Sequence, residues 1–436
     1  MTTAGAVEER TRPEADSPRT TSAPSSVRRL LPGSHDAATW AGHVERYGPL
    51  PWLTGRAEAL RAEVADSGLS GRGGAGFPTA VKLESVAARG NAVVVANGTE
   101  GEPASAKDKI LMRRNPHLVL DGVLVAMAAV GAREAVVAVA RKDASSRARL
   151  EAILRERRAQ TGAIRLAEVP DRFVAGEESA LVHWLNGGPA KPTFTPPRPF
   201  ERGFGGRPTL VQNVETLANL GLVARYGAGR FRAVGTEDEP GSVLVTVVGA
   251  VRRPGVVEVA LATRLRSVLE RCGGVPEPQR ALLVGGYFGT WIPPTLDVPL
   301  SRAGLRQAGA SLGARTIAVL PQRVCPLAET ARIVRYLAAE SAGQCGPCVF
   351  GLPAVADSMA ALARGGAQAA ALRRISALTP QVLGRGACAH PDGAVRLVAS
   401  ALTVFADEVD HHLAGSCTAS ADAPLLPIAH ETESWR

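Results

Sequence analysis

Two cysteines at CxxC spacing, in Ser341-Ala342-Gly343-Gln344-Cys345-Gly346-Pro347-Cys348, are answered further along by Cys388 in Gly386-Ala387-Cys388-Ala389. Three thiols that serve one metal centre must converge, which constrains how the chain around them can fold. Soft thiolates select iron–sulfur clusters or zinc over hard cations, and the flanking glycines let backbone N–H groups approach the sulfurs. By residue type alone the set reads as iron–sulfur ligands, as half of a zinc site, or as a redox pair. Cys325, in Arg323-Val324-Cys325-Pro326, is the candidate for a fourth ligand. Its other reading is a small buried apolar residue at a strand end.

At 436 residues the chain has room for two or three domains with substantial cores. Its 45% apolar and 21% charged residues are those of an ordinary soluble protein, neither disordered nor membrane-embedded. Six unevenly spread cysteines do not suggest a secreted disulfide scaffold. Thiolate ligation implies a reducing compartment, so the chain is expected in the cytoplasm. Residues 1–39, rich in Thr, Ser, Pro, Glu and Arg with no apolar core, read as a disordered tail and not a signal peptide. The longest apolar stretch, Val123 to Ala132, is too short to span a bilayer. Membrane association, at the inner face, is therefore expected only through partners. The net charge of +9 comes with only 4% aromatics and no interleaved aromatic motif, so no nucleic-acid partner is expected.

Residues 40–236 alternate strand-like and helical segments. Asn91 to Ala96 and Ala135 to Ala140 are short apolar runs suited to buried parallel strands. Pro116 to Gly131 has helical periodicity, with Asn115-Pro116 as its start signal, and Ala148 to Gln160 reads as a charged helix. Together they predict an α/β domain. After an acidic, Pro/Gly-containing break at Glu237 to Gly241, the runs Val243 to Val251 and Arg253 to Val259 read as a hairpin. A helix at Thr263 to Cys272 and a strand at Ala281 to Gly286 follow, giving a second unit over 237–318. Residues 319–415 are Ala-rich with three- and four-residue apolar spacing, a helical bundle with the cysteines on its loops. Residues 416–436 form a polar tail.

Gly71-Arg72-Gly73-Gly74-Ala75-Gly76-Phe77-Pro78-Thr79 contains a formal GxGxxG, but the charged, helix-like Arg56 to Ser67 precedes it where a dinucleotide fold requires a strand. Glycines here supply unusual φ values and inward N–H groups, a nest for phosphate, to which Arg72 and Lys82 add charge. A flexible glycine loop is the competing reading.

Glu340 to Cys348 resembles the E-S-C-G-Q-C-x-P-C segment of the flavin-carrying, NADH-oxidising subunit of respiratory complex I, also found in diaphorase subunits of hydrogenases and formate dehydrogenases. The glycine loop with Lys82 is similar to that family's FMN-phosphate loop. Asn97 to Ala104, Gly176 to Leu181 and Pro208 to Leu217 match three further family motifs in order. The resemblance runs from about residue 50 to about 410. It implies an α/β FMN-binding domain, a ubiquitin-like β-grasp (soluble-ligand-binding) domain and a C-terminal helical bundle with an iron–sulfur site. It further implies that Gly71, Arg72, Gly73, Gly74, Gly76 and Lys82 serve the FMN phosphate. Asn97, Glu100, Asn213 and Thr216 would contact the flavin ring, ribityl chain or phosphate. Phe77, Phe173, Glu177 and Arg202 complete the cofactor surface, and Glu102 and Glu178 meet the nicotinamide ribose and act in catalysis.

The family's first cluster cysteine is Ala342 here; the others are Cys345, Cys348 and Cys388. The implied 4Fe–4S cluster is one ligand short unless Cys325 supplies it, and a 3Fe–4S or incomplete cluster is the alternative. Two aromatic positions of the family's adenine site are Ser85 and Gly205, with Phe204 adjacent, and the acidic residue of the ring-contacting motif is Thr99. Each lost stacking face removes something on the order of 1 kcal/mol. The implied function is electron input: a hydride from NADH to FMN, then single electrons to the cluster and a ferredoxin-like or thioredoxin-fold 2Fe–2S subunit, with further electron-transfer or quinone-reductase subunits beyond. The alternative is a nicotinamide-independent flavin and iron–sulfur relay, or an assembly scaffold.

Overall fold

Short runs of valine and alanine that are apolar on both faces assemble into a parallel sheet. In this computed structural model, which describes residues 28–32, 39–366, 369–420, 424–429 and 433–436, the first sheet has four strands. They are β1 (Val93–Gly98), β2 (Ala135–Ala140), β3 (Ile164–Val169) and β4 (Thr209–Asn213), ordered β3-β2-β1-β4 and parallel throughout. Because side chains alternate along a strand, Val94, Ala96, Val137 and Val139 enter one core layer. Val95, Val136, Ala138 and Val211 enter the other. Helices Pro116–Val130 and Val214–Arg232 cover the first face. They touch backbone to backbone at Gly122, where a Cβ would lie 1.8 Å from the Leu217 carbonyl oxygen.

Under this layer Asp121 is fully buried among three bases. Its carboxylate accepts from His43 Nε2 at 2.7 Å, Arg157 at 2.5 Å and Arg225 at 2.6 Å. Burial opposes its charge, but the hydrogen bond from His43 and the two guanidiniums outweigh that and hold the carboxyl well below its usual range.

The second sheet contains β5 (Ser242–Gly249), β6 (Gly255–Ala260), β7 (Gln279–Val284), β8 (Thr290–Ile292) and β9 (Thr316–Pro321), ordered β6-β5-β9-β7-β8. β9 runs parallel to β5 and antiparallel to β7, the mixed topology of a β-grasp. Val243, Val245, Ile317 and Val319 pack under helix Leu265–Arg271, while Leu283, Ala318 and Leu320 face the helical bundle. The expected boundary at 318/319 therefore cuts a strand: β9 continues to Pro321 as the central strand of its sheet. The bundle comprises Pro326–Ala339, Leu352–Arg364, Ala369–Val382, His390–Val404 and Ala406–Leu413. Among the described residues no helix is long and apolar enough to cross a membrane.

Both expected tails carry anchors. Most of 1–39 lies outside the described residues, but Leu30 and Leu31 are buried, and the N–H groups of Arg29, Leu30 and Leu31 all donate to Glu258 on β6. In the C-terminal segment Leu426 is buried and donates its N–H to Glu329, while Arg172 stacks 3.9 Å from the Trp435 ring. One or two apolar residues and a carboxylate acceptor suffice to dock such a segment, whatever its average composition.

Replacing Asp121 by Ala leaves two buried guanidiniums uncompensated and should cost about 3–5 kcal/mol, read as a lowered midpoint in denaturant unfolding.

Candidate functional site

The chain runs outward from β1 to β2 and β3, then returns to β4 on the other side of β1. The C-terminal ends of β1 and β4 are thus a switch point, where open α/β sheets form a ligand crevice. Asn97 and Asn213 stand opposite each other there in register. Asn213 caps the following helix, its Oδ1 accepting the Glu215 N–H at 3.0 Å, and its Nδ2 donates to Asp108 at 2.8 Å. Asn97 Oδ1 accepts from the Thr99 hydroxyl at 2.6 Å and its Nδ2 donates to the Gly176 carbonyl at 2.7 Å. A cleft opens beyond the pair. One arm, of about 290 Å³, is lined by Gly71, Gly73, Gly76, Phe77, Lys82, Glu177, Glu178 and Thr216. The other, of about 150 Å³, is lined by Glu100, Glu102, Asp108 and Phe173. Gly73, Asn97, Gly176 and Asn213 belong to both.

The glycine loop is held from behind. Arg315 donates to the carbonyls of Gly71, at 3.0 Å, and of Arg72, while the Arg72 N–H donates to Thr216 Oγ1 at 2.8 Å. With those groups engaged, Gly73 can press against Asn213; a Cβ on it would lie 3.2 Å from the Asn213 Cβ. Gly76 sits at φ +64°, which a side chain would strain. This close glycine cradle suits a phosphate-bearing group such as FMN. Arg72 departs from expectation. Its side chain is buried on the far side of the loop against Ser70 and the Pro240 carbonyl, so it braces the loop without facing the cleft. Burial, then the neighbouring Arg315, pushes its pKa down to about 9. Gly74 lies on that far side too. The cation in the glycine-lined arm is Lys82, whose Nζ pairs with Glu178 at 2.5 Å.

The acidic residues divide by environment. Glu100 caps helix Lys107–Arg114, accepting from the Asp108 and Lys109 N–H groups and from Ser105 Oγ at 2.5 Å. Glu102 reaches the β-grasp domain, where it accepts the Tyr287 N–H at 2.9 Å. Burial pushes its carboxyl up to about 7. Lys107, buried, bridges Asp108 at 2.7 Å and Glu215 at 3.0 Å. Burial opposes its charge, yet these two carboxylates hold its pKa up. One ammonium does not satisfy so many buried acids, and burial together with repulsion from Glu100 and Glu215 drives Asp108 upward despite its ion pair. Lys107-Asp108 could be noted in the sequence, but the brace from Arg315 and the role of Glu215 left no signal there.

Three cysteines come together. Cys348 begins the bundle's second helical segment on one turn of π-helical backbone, Pro347–Gly351, and burial, then the neighbouring thiols of Cys345 and Cys388, pushes its pKa upward. Such thiols lose their protons to metal, which replaces the proton as the positive partner. Ala342, three residues before Cys345, is buried, its carbonyl accepting from Lys191 Nζ at 2.7 Å. Cys325 is not among them. It caps the N-terminus of helix Pro326–Ala339, whose 14 residues put about 21 Å of helix between it and the Cys345 loop. The expectation that Cys325 completes the cluster is therefore corrected.

The cleft and the cysteines share a wall. Phe173 lines the cleft and meets the rings of Phe288 (4.7 Å) and His390 (5.7 Å), the latter two residues beyond Cys388. Burial pushes the Cys388 thiol up, and the charge of Glu177, in the other arm, pushes the same way. Arg202 stands apart, lining a separate cavity of about 380 Å³ with Ser179, His183 and Phe194, on the other side of the start of helix Glu178–Leu185.

Sequence and structure comparisons agree with this geometry. Residues 64–222 match the family model described as the Nuo51 FMN-binding domain, 244–286 the SLBB domain, and 328–412 the NADH-ubiquinone oxidoreductase-F iron–sulfur binding region. The second F-type subunit of the NADH-quinone oxidoreductase of Rhizobium meliloti is 32% identical over 369 residues, 80% of this chain and 87% of that protein. The F-type subunit of the same enzyme in Streptomyces coelicolor is 32% identical over 375 residues, 82% and 83% respectively. A crystal structure of an NAD+-reducing [NiFe]-hydrogenase in the H2-reduced state superposes with a TM-score of 0.76 at 31% identity. That match covers 82% of this chain but 63% of the hydrogenase chain, so this chain spans less than two thirds of it. The chain belongs to the family of NADH-quinone oxidoreductase F-type subunits.

Two outcomes test the site. A Glu102 pKa near 7, against 4.5 ordinarily, means the folded state binds the extra proton, so this group's contribution to stability falls as pH rises from about 4.5 to about 7. The stability of wild type minus Glu102→Gln should drop on the order of 3 kcal/mol across that window in denaturant titrations. Cys348→Ser should abolish bound cluster iron while Cys325→Ser retains it, by iron assay and visible spectrum.

Proposed function

We propose that this chain oxidises NADH and passes the electrons through FMN and an iron–sulfur cluster to a partner protein. The observation that carries the reading is the shared wall at Phe173, which lines the cleft on one side and meets the ring of His390, two residues beyond Cys388, on the other. Bound FMN supplies the chemistry of taking a hydride and releasing electrons singly. Gly71, Gly73 and Gly76 cradle its phosphate, with Lys82 as counter-charge once it exchanges Glu178 for the ligand. Asn97, Asn213, Thr216 and Glu100 fix the flavin, and Phe77, 53% exposed at the mouth, offers a stacking face for the nicotinamide nucleotide. Glu102 and Glu178 orient the ribose and its surroundings. Arg202 serves the far end of the nucleotide from its neighbouring cavity.

Cys345, Cys348 and Cys388 would hold the cluster, either as a 4Fe–4S core completed by a non-protein ligand or as a 3Fe–4S core. Val349 and Phe350, next to Cys348, are 46% and 76% exposed. An apolar rim beside the buried Cys348 thiol suits the docking of a ferredoxin-like or thioredoxin-fold 2Fe–2S protein.

A second reading, a relay that binds flavin and cluster but not NADH, has a specific observation in its favour. Ser85 turns back onto the Val81 carbonyl, and Phe204 packs beneath Arg165 instead of lining the cleft. Anaerobic titration with NADH decides between them. Bleaching of flavin absorbance is the expected result. A flavin reduced by dithionite but not by NADH would establish the relay.

A further inference from the structure

The helix that separates Cys325 from the cluster thiols delivers it to a different set of ligands. Its Sγ, an oxygen of Glu408, a ring nitrogen of His412 and the Sγ of Cys417 all lie within 4.8 Å of one another. Three elements meet there. Cys325 caps helix Pro326–Ala339, Glu408 and His412 stand one turn apart on helix Ala406–Leu413, and Cys417 follows that helix's end. We propose that Cys325, Glu408, His412 and Cys417 form a tetrahedral zinc site, separate from the iron–sulfur centre.

The distances fit the ion. With Zn–S near 2.3 Å and Zn–N or Zn–O near 2.0–2.1 Å, the edges of a tetrahedron are about 3.5 Å between S and N and about 3.3 Å between N and O. Cys325 Sγ lies 3.4 Å from His412 Nε2, and His412 Nε2 lies 3.3 Å from Glu408 Oε1. The surrounding groups are arranged as a metal site requires. His412 Nδ1 meets the Leu362 carbonyl at 3.1 Å, which fixes the proton on that nitrogen and aims the Nε2 lone pair at the other ligands. Each sulfur accepts a backbone N–H at 3.4 Å, Cys325 from Ala328 and Cys417 from Ala419. Glu408 is oriented by Arg280 at 2.9 Å and by the N–H and hydroxyl of Thr418. The charges also balance: a divalent ion displaces one proton from each thiol, and two thiolates, one carboxylate and the Arg280 guanidinium then sum with it to zero. Two sulfurs, one imidazole and one carboxylate select zinc over magnesium or calcium. The ion would staple the segment after Cys417 to the start of the bundle's first helix.

The full chain, purified without oxygen, tests this by elemental analysis and zinc X-ray absorption. About one zinc per chain with two sulfur neighbours is expected. That zinc should be lost in Cys417→Ser, where the thiol is exposed, and in Cys325→Ser, where serine is itself a good helix cap. Iron and flavin contents should be unchanged in both, which also reports that the variants fold. Zinc that survives both substitutions but disappears in Cys348→Ser would place the metal at the other thiols and overturn the proposal. So would iron at these four residues, a Cys325–Cys417 disulfide found by mass spectrometry, or failure to take up added zinc.

Discussion

The carboxylate of Glu340 joins the two halves of this molecule. One oxygen accepts both the Arg172 Nε–H at 2.8 Å and the Phe173 N–H at 2.9 Å, in a site where both side chains of the ion pair are nearly inaccessible. Arg172 also donates to the Ala339 carbonyl at the end of the helix that leads into the cysteine loop. A buried, doubly bonded charge of this kind is expensive to break, because either partner left alone would be an uncompensated ion. It therefore fixes Phe173 against the bundle, and with it the wall between the cleft and the loop of Cys345 and Cys348. Electron transfer between two cofactors demands such a fixed separation.

The β-grasp domain plays a related part. It reaches the cleft through the Tyr287 N–H on Glu102 and through Arg315 behind the glycine loop. Its sheet lends one face to its own helix and the other to the bundle. Through Arg315 this domain thereby sets the backbone of the glycine loop in the neighbouring domain. It also buries Glu102, and that burial pushes its carboxyl up.

The cysteines of the bundle show how tertiary placement sorts residues of one chemical type. Four of its cysteines look alike as sequence, and pairing Cys325 with the CxxC rests on chain proximity. The helix between them spans the bundle, so proximity in sequence becomes distance in space. Cys417, which carries no local motif, becomes the neighbour of Cys325 only because the chain turns back after Ala406–Leu413.

Local chemistry was legible in the chain alone: which runs are buried strands, where helices start and which thiols share a loop. β2 spans the same residues its apolar run marks out, because a strand apolar on both faces has no other stable placement. Asn97, Asn213, Lys82 and Cys348 could be read from short motifs whose function requires neighbours in sequence. What depends on contacts across long stretches of chain was settled by the fold. It turned Arg72 away from the cleft, set Arg315 behind the loop, docked Leu30 and Trp435, and sent Cys325 to His412. The physical reason is that burial and charge compensation are satisfied by whatever partner the fold brings close, and a one-dimensional pattern does not encode that partner.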